Sequence, residues 1–376
     1  MRYQSTVFAQ LLKEIPHGWF ERTAARHRSG RKKRSLTPWG HMVAMVFAQL
    51  AGSRGLREVE RALKLHRGLQ AHLGLADVPR STLSDANAGR PAALFEAVAT
   101  KLSGRLGGGT RGRDALRLID ATRVFAGKRV EEWTGGGGVK LHVVYDPLNE
   151  RPTLVALTAE RVNDITAAKA MAIEPGATYV FDKGYYDFAF WARLHRAGCR
   201  FVTRLKKNSP VTTLRRRRAH GEAIVSDRVA RLSQRLSGQR RNPFDAPVRL
   251  VGVTISSGRD ITLLTNDLDA PAEDIAALYK ARWQIELFFK WIKQNLKIAH
   301  FLGTSRNAVT IQIMAALIAY LLLRLAQLRH DATLSLQAVA RLMPGVLLAR
   351  RPLDTVLNQP DPMPPTEQPQ LELAYA

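Results

Sequence analysis

Tyr279-Lys280-Ala281-Arg282-Trp283-Gln284-Ile285-Glu286-Leu287-Phe288-Phe289-Lys290-Trp291-Ile292-Lys293 is the stretch on which the reading of this chain depends. Tyr279, Arg282, Glu286 and Lys293 stand at spacings that, at about 100° per residue, keep them within an arc of roughly 60° on one helix. The remaining surface of that helix carries Leu278, Trp283, Ile285, Leu287, Phe288, Phe289, Trp291 and Ile292, a composition that predicts burial. A buried helix keeps a polar stripe only when the stripe meets partners, because an unpaired buried charge is costly. One carboxylate between an aromatic hydroxyl and two cations suits a metal ion and phosphates. The bland alternative is a solvent-facing ladder of ion pairs, against which the apolar content of the helix argues.

Two aspartates elsewhere have a matching character. Leu116-Arg117-Leu118-Ile119-Asp120-Ala121-Thr122 is a mostly apolar run closing on a carboxylate, and Ala177-Thr178-Tyr179-Val180-Phe181-Asp182-Lys183-Gly184 repeats the pattern. Each predicts a buried strand that delivers Asp to its exposed end, where open α/β sheets carry their chemistry. Taken singly, either Asp reads as a helix cap or turn residue. Asp187 competes with Asp182, but it follows the turn at Gly184 rather than closing the strand.

The pattern Tyr-x2-Arg-x3-Glu-x6-Lys, carried by Tyr279, Arg282, Glu286 and Lys293, resembles the signature of IS4-type bacterial DDE transposases, and the order strand-Asp, strand-Asp, helix-Glu resembles their catalytic triad. The resemblance implies an α/β RNase H-like catalytic core with an inserted β-rich subdomain and an N-terminal helical DNA-binding domain. It assigns Asp120, Asp182 and Glu286 as catalytic residues that hold two Mg²⁺ ions, for which Mn²⁺ can substitute. Asp120 would bridge the pair. Hard divalent cations take oxygen ligands, and paired ions about 3.5–4 Å apart serve phosphodiester cleavage. By the same resemblance Arg282 and Lys293 grip phosphates and Tyr279 contacts the DNA end.

Composition supports a polyanionic partner. Lys and Arg number 57 against 32 Asp and Glu, a net charge of +25, which predicts salt-dependent binding to nucleic acid. Alone, that charge does not separate DNA from RNA or an anionic membrane. The single cysteine, Cys199, excludes intramolecular disulfides and cysteine-cluster zinc sites and fits a reducing cytoplasm. No secretory core follows Met1, and Ile311–Leu323 is too short an apolar run to span a bilayer, so it reads as a buried helix. The expectation is a cytoplasmic, nucleoid-associated bacterial protein with no membrane partner.

Along the chain, residues 1–110 read as helical. The basic run Arg26–Arg34 is a loop. Leu56–Leu63 and Arg80–Asn87, separated by a Gly/Pro-bearing turn, suggest a helix-turn-helix whose second segment reads bases through Arg80, Ser81 and Asn87. An ordinary helical subdomain is the equal alternative. The Ser81-Thr82-Leu83-Ser84-Asp85-Ala86-Asn87 string also resembles family members, and Gly104–Gly112 serves as a linker.

Residues 113–207 form the first part of the core. Glu131–Gly138 is a loop or hairpin, and its four glycines are not a phosphate loop because no Gly-Lys-Ser/Thr follows. Lys140 and His142 alternate onto one face of the next strand and resemble a recurrent family pair that contacts DNA, although a structural His142 reads equally well. Asp164 reads as a helix cap, with a partner to the site's own residues as the alternative.

Between Asp182 and Glu286 lie 103 residues. Of these, 208–267 resemble the β-rich insertion that approaches the transposon end, whose basic residues would line DNA; a solvated insertion with no role in catalysis is the alternative, and Arg215–Arg218 reads equally as a solvated loop. Residues 268–352 complete the core, and 353–376 read as a disordered Pro/Gln-rich tail. The expected activity is Mg²⁺-dependent cleavage of double-stranded DNA at insertion-sequence ends and joining of the 3′-OH ends to target DNA, by a homodimer on DNA. An inactive DNA-binding relative and an RNase H-like nuclease without strand transfer are the alternatives.

Overall fold

The computed structural model describes residues 5–27, 36–66, 68, 71–108, 112–125, 131–135, 138–235, 240–296 and 301–358. Nine strands form one sheet: β1 Leu116–Phe125, β2 Gly138–Asp146, β3 Arg151–Ala159, β4 Thr178–Phe181, β5 Arg200–Arg204, β6 Val211–Arg217, β7 Ile224–Leu232, β8 Val248–Thr254 and β9 Asp260–Thr265. Their order is β3-β2-β1-β4-β5-β9-β8-β7-β6. β4 runs parallel to β1 and to β5, and the other pairs are antiparallel. A mixed sheet covered by helices agrees with the expected α/β class. The 208–267 segment adds its strands to the edge of that sheet through β5 and β9, so it continues the core sheet instead of building one of its own.

Helices α1 Val7–Leu12, α2 His17–Arg26, α3 Pro38–Leu50, α4 Leu56–Leu65, α5 Arg80–Gly89 and α6 Ala93–Leu106 precede the sheet. Within it lie α7 Glu131–Thr134, α8 Asp164–Ala170 and α9 Phe188–Arg196, and after it α10 Ala272–Ala281, α11 Trp283–Asn295, α12 Arg306–Arg329, α13 Leu336–Val346 and α14 Leu353–Leu357. Side chains alternate along each strand, which divides the core in two. Leu118, Val143 and Val180 join one hydrophobic cluster with α3, α6, α11 and α12, whereas Ile119, Val144, Tyr179 and Phe181 join a second under α8 and α9.

Helix α12 is the axle of the first cluster. Ser305 caps it by accepting from the Ala308 N–H, and it is buried on nearly every side from Ala308 to Ala326. Its 24 residues are long and apolar enough to cross a membrane, but 83% of the apolar window is covered by the protein itself. The N-terminal helices α3, α5 and α6 pack directly on it and share its cluster.

One expectation about the end of the chain changes. Leu353–Leu357, placed in the disordered tail, is helical and buries Leu353, Val356 and Leu357. The rest of the tail, 359–376, lies outside the described residues. So do 28–35 of the basic loop, 109–111 of the glycine linker, and Gly136 and Gly137 of the four-glycine run.

Candidate active site

The last residues paired between the parallel strands β1 and β4 are Ile119 and Phe181. The next residue on each is Asp120 and Asp182, so two carboxylates leave neighbouring strands at the same level. β4 stops there, while β1 runs on to Phe125 paired with β2 alone. Asp120 is therefore mid-strand, not at the strand end that its sequence suggested. It is uncovered because its other neighbour has ended. Ala121 N–H donates to Asp120 Oδ1 at 2.8 Å. Asp182 Oδ1 accepts from the Gly184 N–H at 2.7 Å, capping the short 3-10 turn Lys183–Tyr185. That approach needs glycine, since a Cβ at residue 184 would lie 2.9 Å from Asp182 Oδ1.

Glu286 stands in the first turn of α11, which packs against β1. Arg282 Nη1 lies 2.6 Å from Glu286 Oε1 and 4.0 Å from Asp120 Oδ2, so one guanidinium serves two carboxylates. Its carbon sits 5.8 Å from the centroid of the Tyr279 ring, and its Nε is buried with no acceptor among the described residues. Burial works against its charge, but Tyr279, Glu286 and Asp120 hold its pKa above the usual value. Tyr279 is itself buried, which raises its phenol, and Arg282, Arg204 and Asp182 act on it electrostatically. Lys293 lies in the last turn of α11 and is exposed; partial burial holds its ammonium below the ordinary value.

The signature stretch is two helices, not one. The chain breaks at Arg282, where Arg282 N–H bonds Tyr279 O and Ile285 N–H bonds Arg282 O, steps of three residues in place of four. Nor is α11 buried all round: it covers Ile285, Phe288, Phe289 and Ile292 and leaves Leu287 40% exposed. The polar residues Arg282 and Glu286 lie where the helix meets β1, which explains how they reach Asp120.

Burial pushes Asp120 up to about 7; the Ala121 N–H and Arg282 pull it down, and Asp182 and Glu286 push it further up. Three carboxylates within electrostatic reach of one another, offset by one shared cation, form a hard-oxygen donor set suited to a divalent ion. Among the described residues no trio of potential ligands is yet close enough to hold an ion, and Glu286 is turned to Arg282. The residues fit the metal chemically, and Arg282 occupies part of the charge balance a metal would supply.

Sequence reading missed Tyr185. Its hydroxyl is buried with no hydrogen-bond partner among the described residues, and burial together with Asp120, Asp164 and Asp182 raises its pKa steeply. A tyrosine one residue beyond Gly184, in the turn after Asp182, was the available signal.

Other expected DNA contacts are corrected. His142 is fully buried, with Nε2 2.8 Å from Thr158 Oγ1 and Nδ1 3.9 Å from Asp164 Oδ1; desolvation lowers it to about 4. Lys140 Nζ is held by Asp164 at 2.8 Å and by Val162 O at 2.9 Å. Both residues point to the face covered by α8, away from Asp120, and belong to the protein's interior. Asp164 is not the cap of α8, because Asn163 accepts from the Ile165 N–H in that role. Asn87 is buried too: its Oδ1 lies 2.7 Å from His41 Nε2, and its carbonyl accepts from Asn307 Nδ2. Its Nδ2 has no partner among the described residues but is buried, so it presents no edge to a base. Arg80 and Ser81, in the first turn of α5, are exposed. Asp187, rejected above, caps α9 and pairs with Lys169 at 2.6 Å.

Residues 111–322 match the transposase DDE domain family, and residues 3–76 match a domain of unknown function, DUF4372. A Sinorhizobium fredii protein named as a candidate transposase, y4zB, is 42% identical over 296 residues, covering 76% of this chain and 82% of that protein. A candidate transposase for insertion sequence element IS5377 of Geobacillus stearothermophilus is 33% identical over 222 residues, 56% of each chain. One for IS4SA of Synechocystis is 28% identical over 158 residues, 41% of this chain and 42% of that one. The cryo-EM structure of a piggyBac transposase synaptic complex with hairpin DNA aligns with 97% of this chain and 87% of its own, at 10% identity and a TM-score of 0.44. That likeness is too loose to carry an argument.

Proposed function

Because the chain belongs to the transposase DDE-domain family, we propose that it cuts double-stranded DNA at the ends of an insertion sequence and joins the freed 3′-OH ends to target DNA. One observation carries the reading: Asp120 and Asp182 emerge level from adjacent parallel strands, and Glu286 meets Asp120 through a shared arginine. Asp120, Asp182 and Glu286 would hold two Mg²⁺ or Mn²⁺ ions. Such ions activate the attacking oxygen and stabilise the leaving one.

The chain's own residues then bind and place the DNA. Arg282, released from Glu286, turns its guanidinium and its unpartnered Nε to a phosphate beside the scissile bond. Lys293, further along α11, holds the strand on the exposed side. Tyr279 backs Arg282 from below and limits where it can move. Arg215 and Arg216, exposed on the edge strand β6, line the flanking duplex. A homodimer would pair two ends.

The test is an assay on labelled duplexes from both flanks of the gene, with Mg²⁺ or with chelator, using the unmodified protein and Glu286→Gln. Metal-dependent nicks at an end and joined products, both lost in the variant, are expected. DNA binding without any metal-dependent cut by the unmodified protein would assign it to the non-catalytic relatives.

A further inference from the structure

The starts of α4 and α5 converge on one cavity of about 320 Å³, lined by Arg54, Gly55, Arg57, Glu58, Arg80 and Ser84 and closed on one side by Leu302. Both helices are ten residues long, and neither has a side-chain cap: Gly55 and Pro79 hold the N-cap positions. Three guanidinium-bearing side chains therefore face the same space, beside helix starts whose first turns meet Glu58 and Glu60. The wall is firm, since Leu302 N–H is bonded to the buried Gln312 of α12 at 2.6 Å.

The nearby carboxylates are occupied. Glu58 accepts from the Arg54 backbone N–H at 2.7 Å. Glu60 is held by Lys64 Nζ at 2.9 Å, the chief cause of its lowered pKa, and also accepts from the Arg80 backbone N–H. No ion pair engages Arg54 or Arg57 among the described residues. The three arginines outnumber the two nearby carboxylates, Glu58, which lines the cavity, and Glu60, which also acts on Arg80.

We propose that this cleft seats a phosphate of the duplex DNA backbone, gripped by Arg54, Arg57 and Arg80 with Ser84 as a further donor. The inference rests on the DNA-acting reading above and gives α5 a different role from base reading. With Asn87 turned into the core, α5 presents its first turn to the nucleic acid. Contacts of this kind fix register and carry no sequence information.

The test measures affinity for an end duplex and for a scrambled duplex by fluorescence anisotropy across salt, using full-length protein without metal. Each of Arg54→Ala, Arg57→Ala and Arg80→Ala is expected to reduce the magnitude of the log K against log salt slope by about 0.9 per lost phosphate contact. Both duplexes should weaken by the same factor, and Arg54→Lys and Arg57→Lys should restore most of the slope. Thermal melts confirm that each variant is folded. Unchanged slopes, or a loss confined to the end sequence, would overturn the phosphate cleft. If the unmodified protein cuts ends while the variants keep their slopes, the cleft alone fails. If it binds neither duplex, the DNA-acting reading fails first.

Discussion

Two groups of charged side chains lie on opposite faces of the same sheet. On one face Asp120 and Glu286 share the single guanidinium of Arg282 beside Asp182, and Asp120 is pushed up to about 7. On the other, Lys140 and His142 lie under α8, with the lysine paired to Asp164 at the start of that helix and the imidazole pushed down to about 4. The family resemblance assigned the three carboxylates of the first group to metal and chemistry and Lys140 and His142 of the second to DNA, whereas Asp164 read as a helix cap. What separates them is setting: the first group sits where β4 ends and the sheet opens, whereas in the second α8 seals the imidazole and most of the lysine, and its own Asp164, about a third exposed, pairs the lysine. The open group is short of positive charge, which is the condition a divalent ion or a DNA-bound metal complex relieves. The sealed group balances itself and serves the fold.

Substitution of the open group should produce the largest effects. Asp120→Asn and Glu286→Gln should each remove cleavage by orders of magnitude while leaving the melting temperature near that of the unmodified protein, measured by strand-cleavage rates beside calorimetric melts. Comparable cleavage in either variant would break the comparison on its functional side. Gly184→Ala should come next. The added Cβ displaces the Asp182 carboxylate, a far end that can move without unfolding the strand, so a loss of roughly 10–100-fold in cleavage with little loss of stability is expected.

The sealed group should respond in stability instead. Asp164→Ala leaves Lys140 buried without its ion pair and should cost about 1–3 kcal/mol in urea unfolding. Cleavage by the fraction that remains folded should be largely kept. A folded Asp164→Ala protein that binds metal and DNA normally yet cannot cut would move this group into the chemistry.

The smallest effect is a pair of opposed pH slopes in the metal-free protein. Asp120, raised from 3.8 to about 7, contributes stability that is complete below pH 4 and lost as pH rises through 7. His142, lowered from 6.5 to about 4, contributes stability that is present above pH 6.5 and lost as pH falls through 4; His41 behaves alike. Urea melts from pH 4 to 8 should therefore show Asp120→Asn steepening the loss on acidification and His142→Gln flattening it. The same slope in both variants would refute the assignment of opposite signs.

The residues that could be read from sequence were those whose meaning is local. Asp120 and Asp182 follow apolar runs long enough to be strands, and the spacing of Tyr279, Arg282 and Glu286 survives even though the helix breaks, because the bend at Arg282 keeps one face continuous. What could not be read depends on distant partners. Asn87 looked like a base reader until His41, on α3, filled its carbonyl. Lys140 and His142 alternate in any register, and only the placement of α8 decides that their face is the inner one. The 208–267 strands alternate like a separate β unit, but pairing with β5 is a long-range choice, and it adds them to the existing sheet. Tyr185 follows Gly184 in the turn after Asp182, but only its burial and the charges of Asp120, Asp164 and Asp182 around it mark it.

The most direct test of the account compares Glu286→Gln with His142→Gln in one experiment, reading Mg²⁺-dependent cleavage of an end duplex and thermal stability on the same preparations. The account predicts that Glu286→Gln melts like the unmodified protein and cuts nothing, while His142→Gln melts earlier and still cuts when folded. Cleavage retained by Glu286→Gln, or lost by a fully folded His142→Gln, would contradict it.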